Sequence, residues 1–411
     1  MSAQVQALSR QSELETIDEA QPAGRAVIML LAAGAGVGVA SVYYSQPILP
    51  LIRQSLGATS EQMIWVPAVA QAGYAVGMLL LAPLGDFVER KRLVLVKSTL
   101  LVITLTIAAV SPALSVLLIA SLALGILGSL GQDFVPMAAH LATEERRGHT
   151  IGVVTTGLLC GILLSRTVSG VIGSAFGWRA IYEIAAVAVA LVALAVWRWL
   201  PYQPATVSGS YASLLKSLVV LFRKHAVLRK SLLTQAFLAA PLGAFWSVLA
   251  LMLAGAPFHL GPAAAGEFGL AGAAGALGAP LFGRLADSRG PSAAIRIGAT
   301  LVIVAFLLLL VFPQSLPVLI VSTVLFDLGV MAGLVSHQSI VTSIDPAARS
   351  RLNGLLMSAA MIGMSVGATV GGFAWNLFGW TGICALCALS GCLALLRSIL
   401  PPSSSLAKRK A

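Results

Sequence analysis

Apolar runs of roughly 20 residues alternate with short polar breaks along the whole chain, at 26–51, 63–84, 93–111, 114–142, 150–175, 179–200, 232–255, 264–283, 293–312, 317–343, 354–377 and 381–399. Each run is long enough to cross about 30 Å of hydrocarbon as a helix. In the fifth run Gly157, Gly161, Ser165, Ser169 and Gly173 recur at every fourth position, and Gly363, Gly367 and Gly371 do the same in the eleventh. Such small-residue faces let neighbouring helices approach closely in lipid. The pattern predicts an all-α polytopic membrane protein with twelve transmembrane helices.

Two polar breaks repeat. Residues 82–92 read Ala-Pro-Leu-Gly-Asp-Phe-Val-Glu-Arg-Lys-Arg, and a second copy runs Gly283, Arg284, Leu285, Ala286, Asp287, Ser288, Arg289, Gly290, so that Asp86 and Asp287 lie 201 residues apart. The triplet Phe176-Gly177-Trp178 returns as Phe378-Gly379-Trp380, and Arg147 and Gly152 return as Arg349 and Gly354, all at an offset of 202. A constant offset near half the chain is the mark of a duplicated unit. The expected organisation is a tail over 1–24, a six-helix bundle over 25–200, a linker over 201–230, a second six-helix bundle over 231–400 and a tail over 401–411. In the linker, Leu214, Leu215, Leu218, Leu221 and Phe222 have helical spacing, which suggests an amphipathic helix on the inner leaflet, with a plain solvated linker as the default reading and a regulatory role as the alternative.

Composition sharpens this picture. The chain is 58% hydrophobic and 10% charged, with a mean hydropathy of +0.93, whereas a soluble domain carries about 25% charged residues. The net charge of +11 raises the question of nucleic acid. All but Arg53, Arg166 and Arg179 of the 26 Lys and Arg fall on the tails and even-numbered breaks or within a few residues of them, so the excess marks topology, with both termini expected in the cytoplasm and no nucleic-acid partner. The first 24 residues are polar, with Glu13, Glu15, Asp18 and Glu19, unlike a basic leader. Four cysteines, Cys160, Cys384, Cys387 and Cys392, lie in apolar runs without the companions of a metal site and read as small buried residues.

Three charges sit deep in apolar runs: Asp133, Arg166 and Asp327. At 1.5 Å per residue, Asp133 lies roughly 15 Å from the end of its run at Thr143, and Asp327 about 24 Å from Ser343. Each unpaired charge costs roughly 2.5–3.5 kcal/mol on insertion scales. Arg166 is therefore expected to pair with Asp327 or Asp133. At least one carboxylate is expected to change protonation during transport, the alternative being a static pair that holds helices in register.

Leu84, Asp86, Arg90 and Lys91 in the first hinge, with Gly283, Leu285, Asp287 and Gly290 in the second, resemble the signature loop of the major facilitator superfamily of secondary transporters. Ala82, Phe87 and Glu89 depart from that pattern. The run Tyr43-Tyr44-Ser45-Gln46-Pro47 is similar to a bacterial branch of drug or metabolite efflux permeases. Ser165 to Gly170 follows the register of the superfamily's antiporter stretch, with Arg166 in place of proline. The resemblance implies a cavity walled by the first, fourth, seventh and tenth spans. Tyr43, Tyr44, Gln46, Gln132, Asp133, Gln235, Phe245, Trp246, Asp327, His337 and Gln338 are then its candidate residues, and Asp86, Arg90, Lys91, Asp287, Arg289 and Gly290 are gating residues. It implies a monomeric plasma-membrane transporter of a bacterial inner membrane, exporting a small organic molecule with protons as coupling ion. Uptake of a sugar or organic acid on the same fold, and a non-transporting receptor or scaffold, are the alternatives. No phosphate-binding loop, metal cluster or nucleophile–base arrangement is visible, so neither a cofactor nor enzymatic chemistry is expected.

Overall fold

Hydrocarbon offers no hydrogen bonds, so a chain crossing it must satisfy its backbone internally. The computed structural model describes residues 24–203, 210–278, 284, 288–345 and 348–401, without the side chains of residues 86, 276 and 277. Among the described residues the backbone is helix and short turns. The elements are α1 (Arg25–Ala40), α2 (Ser45–Leu56), α3 (Ser60–Leu80), α4 (Arg90–Ala109), α5 (Leu114–Gly128), α6 (Leu130–Leu141), α7 (Arg147–Phe176), α8 (Trp178–Trp199), α9 (Tyr211–Lys224), α10 (Ala226–Ala254), α11 (Pro262–Leu277), α12 (Pro291–Val311), α13 (Leu316–Thr342) and α14 (Arg349–Ile399). Among the described residues nine helical stretches are long and apolar enough to cross a membrane, with α5 and α6 counted together, and the bent pair α1 and α2 makes a tenth. The described part of α11 belongs to the eighth span and α14 folds back on itself to supply two, which gives the twelve helices of the predicted fold.

The breaks have local causes. At Ser41 to Tyr44 the first span bends by 42°. There the ladder changes to three-residue bonds, from Tyr43 N to Ala40 O and from Gln46 N to Tyr43 O, and Pro47 has no N–H for the Tyr43 carbonyl. The bend lies just ahead of Pro47 and Pro50. Gly177 and Gly379 both adopt positive φ, 84° and 60°, which explains the repeated Phe-Gly-Trp triplet. A left-handed residue at each position folds α7 back into α8 and reverses α14 at its midpoint, and glycine adopts that conformation without a Cβ clash. At the hinges one duplicated position is solved twice. Gly290 has φ 85° ahead of α12, whereas Glu89 keeps φ −57° and caps α4 with its carboxylate, which accepts from the N–H groups of Lys91 and Arg92 and of Gln203.

The loops on one face meet the interbundle linker. Lys91 Nζ donates to Leu200 O at 2.6 Å, Tyr211 donates to Leu80 O, and Lys230 Nζ donates to Ser398 O and Leu400 O. This is called the linker face below. Buried apolar side chains form one cluster centred on α1 to α8 and another on α10 to α14, the latter built around Phe245, Phe306 and Phe326. The halves join through α3 with α14, α7 with α11, and α2 with α10. Contact along these pairs is made away from the linker face. Ile64 fills the space beside Gly372, Trp65 meets Phe373 edge to face at 6.2 Å, Ser365 donates to Ala68 O, and Thr167 donates to Gly266 O.

The predicted small-residue faces carry close backbone approaches. A Cβ at Gly367 would run into the Ala240 backbone of α10, while one at Gly354 meets nothing within 4 Å. Gly367→Val is expected to destabilise the protein by about 1–3 kcal/mol through overpacking. Gly354→Ala should leave the melting temperature in detergent unchanged. Equal melting temperatures for the two variants would count against this packing.

Candidate functional site

Between the halves a cavity of about 440 Å³ opens at the linker face. Its wall includes Met78, Pro83, Arg90, Gln132, Asp133 and Arg147 from the first half, Leu214 and Leu218 from α9, and Arg351, Asn353 and Leu355 from the second half. The size is that of a small-molecule site. Opposite the linker face the contacts just described close the halves on each other.

Asp133 sits at this cavity and is paired with a residue the sequence reading did not count among the deep charges. Lys97 Nζ on α4 contacts Asp133 Oδ2 directly, with 2% and 7% of the two residues exposed. The expectation that Arg166 pairs with Asp133 is therefore corrected. Lys97 lies four positions inside its apolar run, next to the basic hinge, and reads as a topology charge. Its helical register is the missed signal: Val94, Lys97, Leu101, Leu105 and Ala108 form the buried stripe of α4. A cation in that stripe must face protein rather than headgroups. Gln132, one residue away, donates to the Tyr74 hydroxyl at 3.1 Å, and Tyr74 too was not anticipated.

Arg166 makes no ion pair among the described residues. Its Nε donates to Gln46 Oε1 at 2.7 Å, and its guanidinium lies between the rings of Tyr43 and Trp246, 4.8 and 4.4 Å from their centroids. Amide and aromatic faces thus replace the expected carboxylate. Tyr43 and Gln46 belong to the first half and Trp246 to the second, so the cluster bridges the bundles. Asp327 stands nearby, against Gly272 together with the Trp246 ring that covers Arg166. It is 7% exposed, its Oδ2 accepts no hydrogen bond among the described residues, and glycine at 272 is what lets α11 pass beside it and Trp246. The void beside Arg166 and Trp246 is only about 10 Å³, so these groups are occluded while the linker face is open.

The remaining predicted residues divide. Tyr44 is buried in the first half's core. Phe245 is a core residue, fully buried against Phe306, Phe326 and Trp380, rather than cavity wall. Gln235 Oε1 lies 3.0 Å from His337 Nδ1, which ties α10 to α13 inside the second half. Gln338 donates to Asn353 Oδ1 at 3.2 Å beside the cavity. Arg90 lines the cavity and Lys91 holds the linker. Arg289 is exposed and Gly290 begins α12. Asp86 closes a short 3-10 turn, Ala82–Asp86, its side chain lying outside the described residues, as Asp287 does entirely. Cys384 and Cys387 are buried as expected, but Cys160 and Cys392 are exposed on the bundle surface. No group of metal-ligating residues is present among the described residues.

Comparison with known proteins is consistent along the chain. The Major Facilitator Superfamily family model matches residues 31–343 and 232–411. The chain is 35% identical over 359 residues to the putative uncharacterized transporter YgaY of Escherichia coli strain K12, covering 87% of this chain and 91% of that one. It is 32% identical to the probable transporter SCO4007 of Streptomyces coelicolor, covering 89% and 85%. Among solved structures, a mutant of the nucleoside transporter NupG superposes with a TM-score of 0.77 at 14% identity, covering 90% of this chain and 98% of that one. A bacterial homolog of the human lysosomal transporter Spinster, inward-facing and unoccupied, gives 0.69 at 16% identity, covering 90% and 93%. With the duplicated hinge, twelve helices and an interbundle cavity, the chain belongs to the major facilitator superfamily and is a multi-pass membrane transporter.

Proposed function

We propose that the protein is a proton-coupled transporter that moves a small organic molecule out of a bacterial cytoplasm by alternating access. The observation that carries the proposal is the unequal treatment of two buried carboxylates, one in each half. Asp133 is held by Lys97 where the cavity reaches it. Asp327 is shut away beside Arg166 with one oxygen unbonded. A carboxylate that is closed off in one state and wetted in the other is a means of carrying a proton across. The basic linker face is read as cytoplasmic, so the open cavity faces inward, a reading supported by likeness to the inward-facing Spinster homolog. In the outward-open state the far contacts part, and the Arg166 guanidinium keeps its first-half partners Tyr43 and Gln46 and loses the Trp246 ring of the second half.

A second reading, transport of an organic anion, draws support from Arg90, Arg147 and Arg351 at the cavity. The solute class is read from proteoliposomes loaded with neutral, cationic and anionic amphiphiles under an imposed proton gradient. Movement of no class would remove the transport reading for these conditions, and anions alone would favour the second.

Asp327→Asn should abolish accumulation driven by a pH gradient while leaving solute exchange at equal pH within about threefold, a difference of less than ~1 kcal/mol. Gradient-driven transport at the parental rate would make Asp327 a structural group. For the other carboxylate, Asp133→Asn leaves a buried ammonium without its counter-charge and should destabilise by about 3–5 kcal/mol. Lys97→Met with Asp133→Leu should recover the melting temperature and still fail to transport, and recovery of both would reduce the pair to packing. Finally, Ile64→Cys with Gly372→Cys, in a chain carrying Cys160→Ser and Cys392→Ser, should cross-link on oxidation and stop transport until reductant is added. Undiminished transport by the cross-linked protein would mean that the far face need not open.

A further inference from the structure

The linker helix α9 departs from the amphipathic pattern expected of it. Leu218 and Leu221, two of the leucines that give the segment its helical spacing, are buried against the protein. Leu221 joins Leu228, Val341, Leu352 and Leu356 in a cluster of the second half. Leu214 and Leu218 wall the cavity. Two polar ties hold this orientation, the Tyr211 hydroxyl on Leu80 O at the first half and Arg351 NH1 on Ser217 Oγ at 3.0 Å at the second. Leu214, Leu218 and Leu221 are therefore used up within the protein, and Phe222 is left outside.

The opposite side of α9 carries a different surface. At 100° per residue, Lys216, Val219 and Arg223 fall together, with Phe222 on one flank and Val220 on the other, and Lys224 at the helix end. Val219, Val220 and Phe222 are 50%, 52% and 43% exposed. The helix contains no acid, and none of its three cations has a salt-bridge partner among the described residues. Val227 and Leu233, near the start of the seventh span, are 43% and 46% exposed as well.

We propose that this outward side of α9 is a binding surface for anionic phospholipid of the leaflet at the linker face. Val219, Val220 and Phe222 enter the headgroup and upper acyl region. Lys216, Arg223 and Lys224 meet the phosphates. Because the other side of the same helix walls the cavity, leaflet charge acts on the mouth of the transport pathway through one rigid element, the 14 residues of α9 itself.

The test does not depend on transport. A spin label is placed at Val220→Cys in a protein carrying Cys160→Ser and Cys392→Ser, reconstituted in nanodiscs of phosphatidylcholine alone or with phosphatidylglycerol. Collision with oxygen and with a neutral, water-soluble nickel chelate reports immersion. Phosphatidylglycerol should raise the oxygen-to-nickel ratio, and each of the substitutions Lys216→Gln, Arg223→Gln and Lys224→Gln should lower the enrichment of bound phosphatidylglycerol about fivefold. These side chains point away from the bundles, so elution and melting of the triple variant should match the parent, and the single Arg223→Gln variant serves if they do not. A label equally immersed in neutral lipid would overturn the role of charge. A label open to water in both discs would overturn the surface.

Discussion

Inside a bilayer the protein is the only available solvent for its own polar groups, and the arrangement of this chain follows from that constraint. Besides Arg90 at the start of α4, four charged side chains lie within the described bundles at low exposure, Lys97, Asp133, Arg166 and Asp327, and they meet three different local solutions. Lys97 and Asp133 neutralise each other at the open cavity. Arg166 takes an amide oxygen and two ring faces, which suits a delocalised cation better than an ammonium. Asp327 stands beside Trp246 and Gly272 and has no donor on Oδ2 among the described residues. The charges are sorted by state of access as much as by sign.

The same constraint shapes the packing. Lipid tails are as apolar as leucine, so helices associate through close backbone contact rather than through a hydrophobic drive. Glycine at 243, 363 and 367 brings α10 and α14 together within the second half. Gly170 and Gly266 do the same between the halves away from the linker face. On the linker side the halves are separated by the cavity, and α9 crosses between them. A pair of bundles tightly joined at one end and held apart at the other is the geometry that rocking requires.

Much of this was legible in the order of residues. Twelve apolar runs, a hinge repeated near half length and a recurring Phe-Gly-Trp lead to the fold, because membrane helices announce themselves by length and duplication by offset. The site was less legible, for physical reasons. Depth along a helix is readable from sequence, but the face a side chain occupies depends on neighbours, so Lys97 passed for a loop cation and Phe245 for a cavity wall. Arg166 was expected to seek a carboxylate, yet Tyr43, Gln46 and Trp246, all far from it along the chain, satisfied it without one. The leucines of α9 were read as a lipid-facing stripe because periodicity reveals that a face is apolar and not what covers it.

The two solutions at the duplicated hinge position have a further consequence. Gly290 turns the chain by backbone conformation alone, with no side chain for anything else to grip. Glu89 turns it through a carboxylate that also accepts from Gln203, a residue of the segment joining the halves. The first hinge is thus chemically addressable, since whatever pulls on that segment pulls on the start of α4 and so on the helix that carries Lys97. The second hinge lacks this particular handle, and a molecule built from two like halves acquires a direction in which a mechanical signal can travel.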